Sequence, residues 1–249
     1  MEDVKNKLRD LMKDHNVGGH NIEHMIAVMN HAKKAVEQEI LPQYIKEKII
    51  LAALLHDADD TKIFKHSKHF NNARTILKES LSEDFLRPLM DEEMDVTKFW
   101  FYYDGNILLY RDFFIDDVIE LIELVSCSKD GNSDPPQRWM AIPRDCDRLE
   151  AIGEIGIKRC DEYSAATNAP DFTPETHRVS TEKELWSVAT PERFSKYKKS
   201  VSKIDHYYDK LLHIGKPECL KSQNKYILEE ASRRRDIMVQ YVLDFWKCH

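Results

Sequence analysis

The scarcity of chain-breaking residues is the feature that most constrains the fold. The 249 residues include only seven glycines and nine prolines, and apolar residues recur at spacings of three and four, which is typical of helices that bury one face. Strand-like alternation is confined to 99–103 and 107–110, where a short helix or an apolar plug is as good an interpretation as a hairpin. We therefore predict an all-α protein with a single domain over 1–249. The predicted helices cover 4–12, 22–36, 45–55, 73–77, 115–125, 149–157, 204–212 and 227–245.

Composition and charge exclude several classes of protein. The chain is 42% hydrophobic and 33% charged, as expected of a globular protein, and its net charge of -7 argues against non-specific binding to nucleic acid or an anionic membrane. No run of 18 apolar residues predicts a membrane span, and the N-terminal residues lack the apolar segment of a signal peptide. Five scattered cysteines without a C-x-x-C pair indicate reduced thiols. We expect a cytoplasmic protein.

A His-Asp pair ends the most apolar stretch of the chain. His56 and Asp57 follow seven consecutive apolar residues, 49–55, which predict a helix buried on all sides. Burying a carboxylate without a partner costs several kcal/mol, and a divalent cation would remove that cost. Imidazole with carboxylate suits Mn, Co, Ni, Fe or Zn and, less well, Mg. A buried ion pair between the two side chains is the alternative.

Two other segments combine histidines or acids with glycines. His20, His24 and His31 fall on one face of the second predicted helix, after a break at the glycines 18 and 19. His20 is interpreted as a helix cap or a substrate contact, and His31 as internally hydrogen-bonded or at a polar edge. In "DCDRLEAIGEIGIKR", Gly153 and Gly156 would let another helix approach closely, and the 45–57 helix is the predicted partner.

Three motifs together resemble a known enzyme superfamily. "GGHNIEH", "LLHDADDTK" and "DCDRLEAIGEIGIKR" are similar, in this order, to motifs of the HD-domain metal-dependent phosphohydrolases, closest to bacterial nucleotide hydrolases that carry "DADRLDAIGAIGIAR". A weaker similarity lies in "IDHYYDKLL" (204–212), whereas 165–200 resembles no known motif. The resemblance implies an HD-type helical bundle with its core at about 18–160 and a C-terminal helical extension at 161–249.

The resemblance also implies a set of metal ligands. They are His24, His56, Asp57 and Asp147, and Asp145 competes with Asp147 for the last place. We favour Asp147 because the superfamily writes this motif as Ala-Asp-x-Leu, which aligns with 146–149. Members with two metals carry further histidines between the HD pair and the last Asp. The histidines at 66 and 69 are better interpreted as a solvated turn, so one divalent metal ion is predicted.

Further residues are assigned to catalysis and substrate binding. Asp60, together with Asp57, matches the acidic residues of the HD motif and is expected to orient or deprotonate the attacking water, with Asp59 as the alternative. Lys62 fits the motif's lysine and is a candidate phosphate ligand. For three further candidates, a surface charge or an internal salt bridge is an equal alternative: Lys129, Arg148 and Arg159.

The resemblance implies hydrolysis of a nucleotide. The expected reaction converts a nucleoside triphosphate to a monophosphate and pyrophosphate. A nucleoside monophosphate phosphatase is one alternative, and a non-catalytic module that binds metal and nucleotide is another. The expected partner is therefore a small phosphorylated molecule, with no nucleic acid and no membrane, and a homodimer is left open.

Overall fold

The structure, a computed structural model, describes residues 1–13, 21–61, 63–97, 106–125 and 133–249. Within these ranges every long regular element is a helix and no strand occurs, which confirms the all-α prediction. A 3₁₀ turn at Arg138–Ala141 leads into the helix at Ile142–Leu149, and a π-helical turn at Tyr207–Leu211 joins the helices at Lys203–His206 and Leu212–Ile214. The α-helices are α1 Glu2–Met12, α2 Ile22–Glu37, α3 Gln43–Leu55, α4 Asn71–Ser80, α5 Glu83–Thr97, α6 Ile107–Glu123, α7 Ile142–Leu149, α8 Gly153–Thr167, α9 Glu182–Val188, α10 Pro191–Ser195, α11 Lys203–His206, α12 Leu212–Ile214 and α13 Lys225–Cys248.

Most predicted helices are confirmed, and the structure decides one open range and corrects another. The strand-like range 107–110 is the first turn of α6, because the Asn106 side chain accepts hydrogen bonds from the amides of Leu108 and Leu109 and so starts a helix. The range 99–103 lies outside the described residues. The continuous helix predicted over 149–157 is wrong, since α7 ends at Leu149 and α8 begins at Gly153. None of the described helices is both long and apolar enough to cross a bilayer.

The chain divides into two compact units, Met1–Cys146 and Asp147–His249. The expected core at 18–160 and extension at 161–249 stay a prediction. In the first unit, α3 packs against α2, α5 and α6. Its residues from Ile49 to Leu55 are all buried, as the apolar run predicted. This helix is the axis around which the first unit is built.

A buried lysine fixes α3 to its neighbours. Lys48 is only 4% exposed, and its Nζ lies 3.1 Å from both carboxylate oxygens of Glu93 and 2.7 Å from Oδ2 of Asp117. Tyr110 donates a hydrogen bond of 2.9 Å to Glu93 as well. A buried charge is tolerated when its donors are matched in this way, so the network sets the position of α3 between α5 and α6.

In the second unit, Arg234 of α13 holds the end of α7. Its Nη1 donates to the carbonyl of Leu149 at 2.6 Å and to Oε1 of Glu150 at 3.0 Å. Gly153 faces the same arginine with φ +74°, and a Cβ there would lie 2.9 Å from Cγ of Arg234. The glycine is therefore required by its left-handed backbone and by the close approach of α13. The prediction that the 45–57 helix is its partner is wrong.

Arg193 is one of the residues that hold the segment 165–200, which resembles no known motif, within the second unit. Arg193 in α10 pairs with Asp205 at 2.5 Å and with Asp209. Asp205 also accepts hydrogen bonds from Thr176 at 2.7 Å and Ser202 at 2.6 Å. The partners come from both sides of α10, so this network ties the loop at Thr176 and α10 to α11 and the π-helical turn.

A buried histidine closes the same region. His213 is 2% exposed, stacks on Phe194 with ring centroids 4.9 Å apart, and its Nε2 donates to the Tyr208 carbonyl at 3.1 Å. Burial, with a smaller contribution from the charge of Lys216, lowers the pKa of His213 from 6.5 to about 4. The folded protein therefore keeps this imidazole neutral where the unfolded chain protonates it.

We predict that His213 makes stability fall as the pH drops from 6.5 to about 4. In that window the unfolded state binds one more proton than the native state, which costs up to about 1.4 kcal/mol per pH unit. His213→Gln keeps a donor for the Tyr208 carbonyl but cannot titrate, so its free energy of unfolding should depend less steeply on pH. Urea denaturation of both proteins at intervals from pH 7 to pH 4 measures this. Parallel curves for wild type and variant would contradict the assignment.

Candidate metal centre

The first histidine is positioned by a helix cap. Oδ1 of Asn21 accepts a hydrogen bond of 2.8 Å from the backbone amide of His24, which starts α2 at Ile22 and places His24 in its first turn. The His24 side chain is 6% exposed. Since the backbone amides of a first helical turn have no partner within the helix, Asn21 satisfies one of them and fixes the start of the helix that carries His24.

The second histidine uses the other end of a helix. His56 is the residue after α3, and its Nδ1 lies 2.9 Å from the carbonyl oxygen of Ala53. Nδ1 must carry the hydrogen in this contact, because a carbonyl only accepts. In the neutral imidazole Nε2 is then left with its lone pair, which is the form that binds a metal.

Three ligand atoms from these elements converge. Nε2 of His24 and Nε2 of His56 are 3.3 Å apart, and Oδ2 of Asp57 lies 3.4 Å from Nε2 of His56 and 3.8 Å from Nε2 of His24. Ligands placed about 2.1 Å from one cation stand roughly 3.0–3.4 Å from each other in octahedral or tetrahedral geometry. Two of the three spacings lie in this range and the third, 3.8 Å, is slightly longer. Asp57 is 9% exposed. With the burial and the acceptor character of these atoms, the arrangement suits a divalent cation.

The turn after the HD pair gives Asp59 a structural role. Its Oδ1 accepts from the amide of Asn72 at 2.9 Å and from the Ser67 hydroxyl, and its Oδ2 accepts from the amide of Ala73 at 2.9 Å. Asn72 also donates through Nδ2 to the carbonyl of Ala58 at 2.8 Å. Asp59 thus caps the N-terminus of α4, which needs such an acceptor because Phe70 at the cap position supplies none.

Asp60 lies at the end of the same turn and is half-buried. Its backbone amide donates to the Asp57 carbonyl at 3.1 Å, and its own carbonyl accepts from Ile63 at 2.9 Å and Phe64 at 2.7 Å. The backbone is therefore fixed on both sides of the residue. Its role in catalysis stays a prediction, as does that of Asp57.

The "DCDRL" motif forms α7. Asp145 is fully buried, whereas Asp147 is half-buried. Arg148 is 6% exposed and donates through Nη1 to the carbonyl of Cys219. Arg159 donates through Nη1 to the carbonyl of Glu150 at 3.1 Å. Both arginines thus have structural contacts within the second unit, and their binding of phosphate stays a prediction.

Several predicted site residues lie outside the described residues. They are His20, with the glycines that precede it, Lys62 and Lys129. Of the other histidines, His31 is buried, whereas His66 and His69 are exposed in the loop before α4. The exposure of the last two agrees with their interpretation as a solvated turn.

A viral relative covers nearly the whole chain. The uncharacterized protein L803 of Acanthamoeba polyphaga mimivirus is 45% identical over 242 residues, which are 96% of this chain and 93% of the viral protein. The chain belongs to the L803 family. No family model matches it.

Solved bacterial structures share the fold of this L803 family member. An HD-superfamily hydrolase of Bacillus thuringiensis is 20% identical, with a TM-score of 0.56 over 99% of this chain and 94% of that chain. Bacillus subtilis YpgQ is 17% identical, with a TM-score of 0.60 and the same coverages. YpgQ in complex with ADP gives 18% identity and a TM-score of 0.54 over 100% of this chain and 94% of that chain. The chain therefore has an HD-domain fold.

Sequence reasoning missed the residues that orient the ligands. Asn21 precedes an apolar periodic stretch, and this capping signal could have been recognised. The role of Ala53 could not, because its contribution is a backbone carbonyl. Ser67 and Asn72 also gave no signal, since their partner Asp59 lies 8 and 13 residues earlier in the chain.

We predict that Asp59→Ala destabilises the fold without removing metal. The variant leaves the first amides of α4 without their acceptor, which costs about 1–2 kcal/mol, while His24, His56 and Asp57 are unchanged. Urea denaturation measures the loss, and elemental analysis of the purified protein measures the metal. Asp10→Ala, at an exposed position of α1, is the control and should change the free energy of unfolding by less than about 0.5 kcal/mol. Loss of metal from Asp59→Ala at unchanged stability would refute the capping role.

Proposed function

We propose that this protein is a metal-dependent phosphohydrolase that acts on a nucleotide, with a nucleoside triphosphate as substrate and a monophosphate and pyrophosphate as products. The observation that carries the proposal is the convergence of the two Nε2 atoms of His24 and His56 with Oδ2 of Asp57. The fold supports it, because one structural neighbour is described as an HD-superfamily hydrolase and another, YpgQ, was solved with ADP.

One divalent ion would be held by these three side chains. Without a cation, two imidazole lone pairs and a carboxylate oxygen would face each other at 3.3–3.8 Å, which is unfavourable unless a proton lies between them. When bound, the ion supplies Lewis-acid polarisation of a phosphoryl oxygen. His56 is held in the metal-binding tautomer by Ala53, so the protein orients this ligand before the ion arrives.

Asp147 is proposed as the fourth ligand. It is half-buried on α7, whereas Asp145, two positions earlier on the same helix, is fully buried. Two positions apart on an α-helix is a rotation of about 200°, so the two carboxylates point in opposite directions. The resemblance of 146–149 to the Ala-Asp-x-Leu motif supports Asp147 over Asp145.

Asp60 is proposed to hold the proton of the attacking water. Its backbone amide donates to the carbonyl of Asp57, so its carboxyl group belongs to the same turn as that proposed ligand, which supports a role beside the metal. Asp59 is the poorer choice, because both of its carboxylate oxygens accept hydrogen bonds from the start of α4. A carboxylate that orients or takes a proton contributes about 10²–10⁴-fold to rate.

The ligand set is tested by metal content. Alanine at His24, His56 or Asp57 should lower bound metal at least about tenfold, measured by elemental analysis after dialysis. Asp147→Asn should also lose metal, whereas Asp145→Asn should retain it. Full occupancy in Asp57→Ala would remove that residue from the set. If Asp145→Asn loses metal and Asp147→Asn retains it, Asp145 is the ligand in place of Asp147.

Catalysis is tested on Asp60. Asp60→Asn should keep metal content and KM but lose roughly 10²–10⁴-fold in kcat, because the amide cannot accept the proton. The assay is a panel of nucleoside mono-, di- and triphosphates with Mn, Co, Ni or Mg, and it measures released phosphate and pyrophosphate. Asp59→Ala is the matched control and should keep its kcat at temperatures where it is folded.

The panel also separates the alternative functions. Release of phosphate from monophosphates alone would indicate a nucleotidase, and turnover of no nucleotide by wild-type protein would leave a binding module. Loss of metal from Asp60→Asn would make Asp60 a ligand and require another base.

A further inference from the structure

A cleft of about 710 Å³ lies beside the metal turn. It is lined by the loop that follows Asp60 and by the start of α4, and this volume is within the range of roughly 300–1,000 Å³ typical of small-molecule sites. The cleft belongs entirely to the first unit. None of the proposed metal ligands and neither Asp59 nor Asp60 is among its lining residues.

The cleft is connected to the metal turn by direct hydrogen bonds. Two of its lining residues, Ser67 and Asn72, donate to Asp59, and Asn72 also donates to the carbonyl of Ala58. Ala58 and Asp59 directly follow the proposed ligand Asp57. One wall of the cleft and the metal turn are therefore parts of one hydrogen-bonded structure.

The charge of the cleft is opposite to that of the protein. Lys65, His66 and Lys68 line it with exposed side chains, and within the described part of the chain no carboxylate is among its lining residues. Across residues 61–78 the sequence contains five lysines and arginines and no aspartate or glutamate, in a chain of net charge -7. A local positive cluster in an otherwise acidic protein attracts an anion to that place.

The start of α4 does not itself bind this anion. Its amides at Asn72 and Ala73 already donate to Asp59, so the helix N-terminus is occupied by a side chain of the protein. Anion binding must come from the lysines, which bind phosphate as mobile point charges. Ile63 and Phe64, both half-buried in the same lining, add an apolar wall of the kind that nucleoside sites require.

We propose that this cleft binds the phosphate chain of a nucleoside polyphosphate, with Lys65 and Lys68 as its principal ligands. The inference rests on the proposed function and narrows its substrate to nucleotides with a chain of two or three phosphates. A monophosphate would need only the metal centre, whereas a cleft with two lysines beside that centre suits a substrate with a chain of two or three phosphates. Lys65 and Lys68 are therefore residues that determine specificity for chain length.

The test compares Lys65→Met/Lys68→Met with a control of equal charge change, Lys183→Met/Lys198→Met, whose positions are exposed and outside both the cleft and the basic stretch 61–78. Inorganic tripolyphosphate is titrated into each metal-loaded protein by calorimetry. The cleft variant should bind it about tenfold more weakly, since two solvated ion pairs are each worth up to about 1 kcal/mol. Its affinity should also depend less on salt concentration than that of wild type. The control should match wild type in both measurements.

Kinetics give the second readout. With a triphosphate substrate from the panel, KM should rise about tenfold in the cleft variant with kcat retained, whereas values for a monophosphate should not change. Equal tripolyphosphate affinity in cleft variant and control, or no binding to wild type, overturns the phosphate-chain site.

The two proposals fail separately. If the cleft variant hydrolyses triphosphates with an unchanged KM, the phosphate-chain site is refuted and the proposed hydrolase activity stands. If tripolyphosphate binding depends on Lys65 and Lys68 but the wild-type protein hydrolyses no nucleotide, the hydrolase proposal is refuted and the phosphate-chain site stands.

Discussion

A helix that is apolar on every side must end within the protein, and its last carbonyls must find donors there. In this chain the C-terminal half of α3, Ile49–Leu55, is apolar and buried on every side, and His56 supplies one of the donors by bonding the carbonyl of Ala53. The same hydrogen bond leaves the other ring nitrogen as an acceptor directed at His24 and Asp57. This one hydrogen bond therefore both satisfies a carbonyl at the end of α3 and orients a proposed metal ligand. The rest of the candidate centre depends on it.

Two kinds of contact support this arrangement from outside. Within the first unit, the Lys48 network with Glu93 and Asp117 fixes α3 among its neighbours, and Asp59 fastens the turn after α3 to the start of α4. Within the second unit, Arg234 holds the last carbonyl of α7, the helix that carries Asp147. In the last two cases, Asp59 and Arg234, a side chain distant in sequence completes a helix end, which is where helices leave polar groups unmatched.

The sequence predicted the parts of this design that are local. The apolar run 49–55 predicted the buried helix, and the position of His56 and Asp57 at its end predicted a polar centre there. The N-terminal helices were predicted because their periodicity is regular. The break between α7 and α8 was missed, because the apolar pattern continues through 150–152 and the left-handed conformation of Gly153 depends on Arg234, 81 positions later.

Distinctions among neighbouring carboxylates were harder to predict. Asp59 and Asp60 are chemically equivalent in the sequence, and the contacts of Asp59 with Ser67, Asn72 and Ala73 distinguish them. Likewise, the arginine network around Asp205 that organises 165–200 is formed by residues scattered over more than thirty positions. Such contacts require tertiary packing, which a single sequence does not specify at short range.

Because His56 forms a hydrogen bond with the carbonyl of Ala53, the geometry of the metal centre depends on the number of residues in α3. One residue inserted into or deleted from this helix would turn everything beyond it by about 100° around the helix axis, and the imidazole would leave the side on which α2 presents His24. Loops elsewhere in the chain tolerate such changes, since they run over the surface. In related genes, insertions and deletions should therefore accumulate in the loops, while α3 keeps its residue count even where its apolar side chains are exchanged for one another.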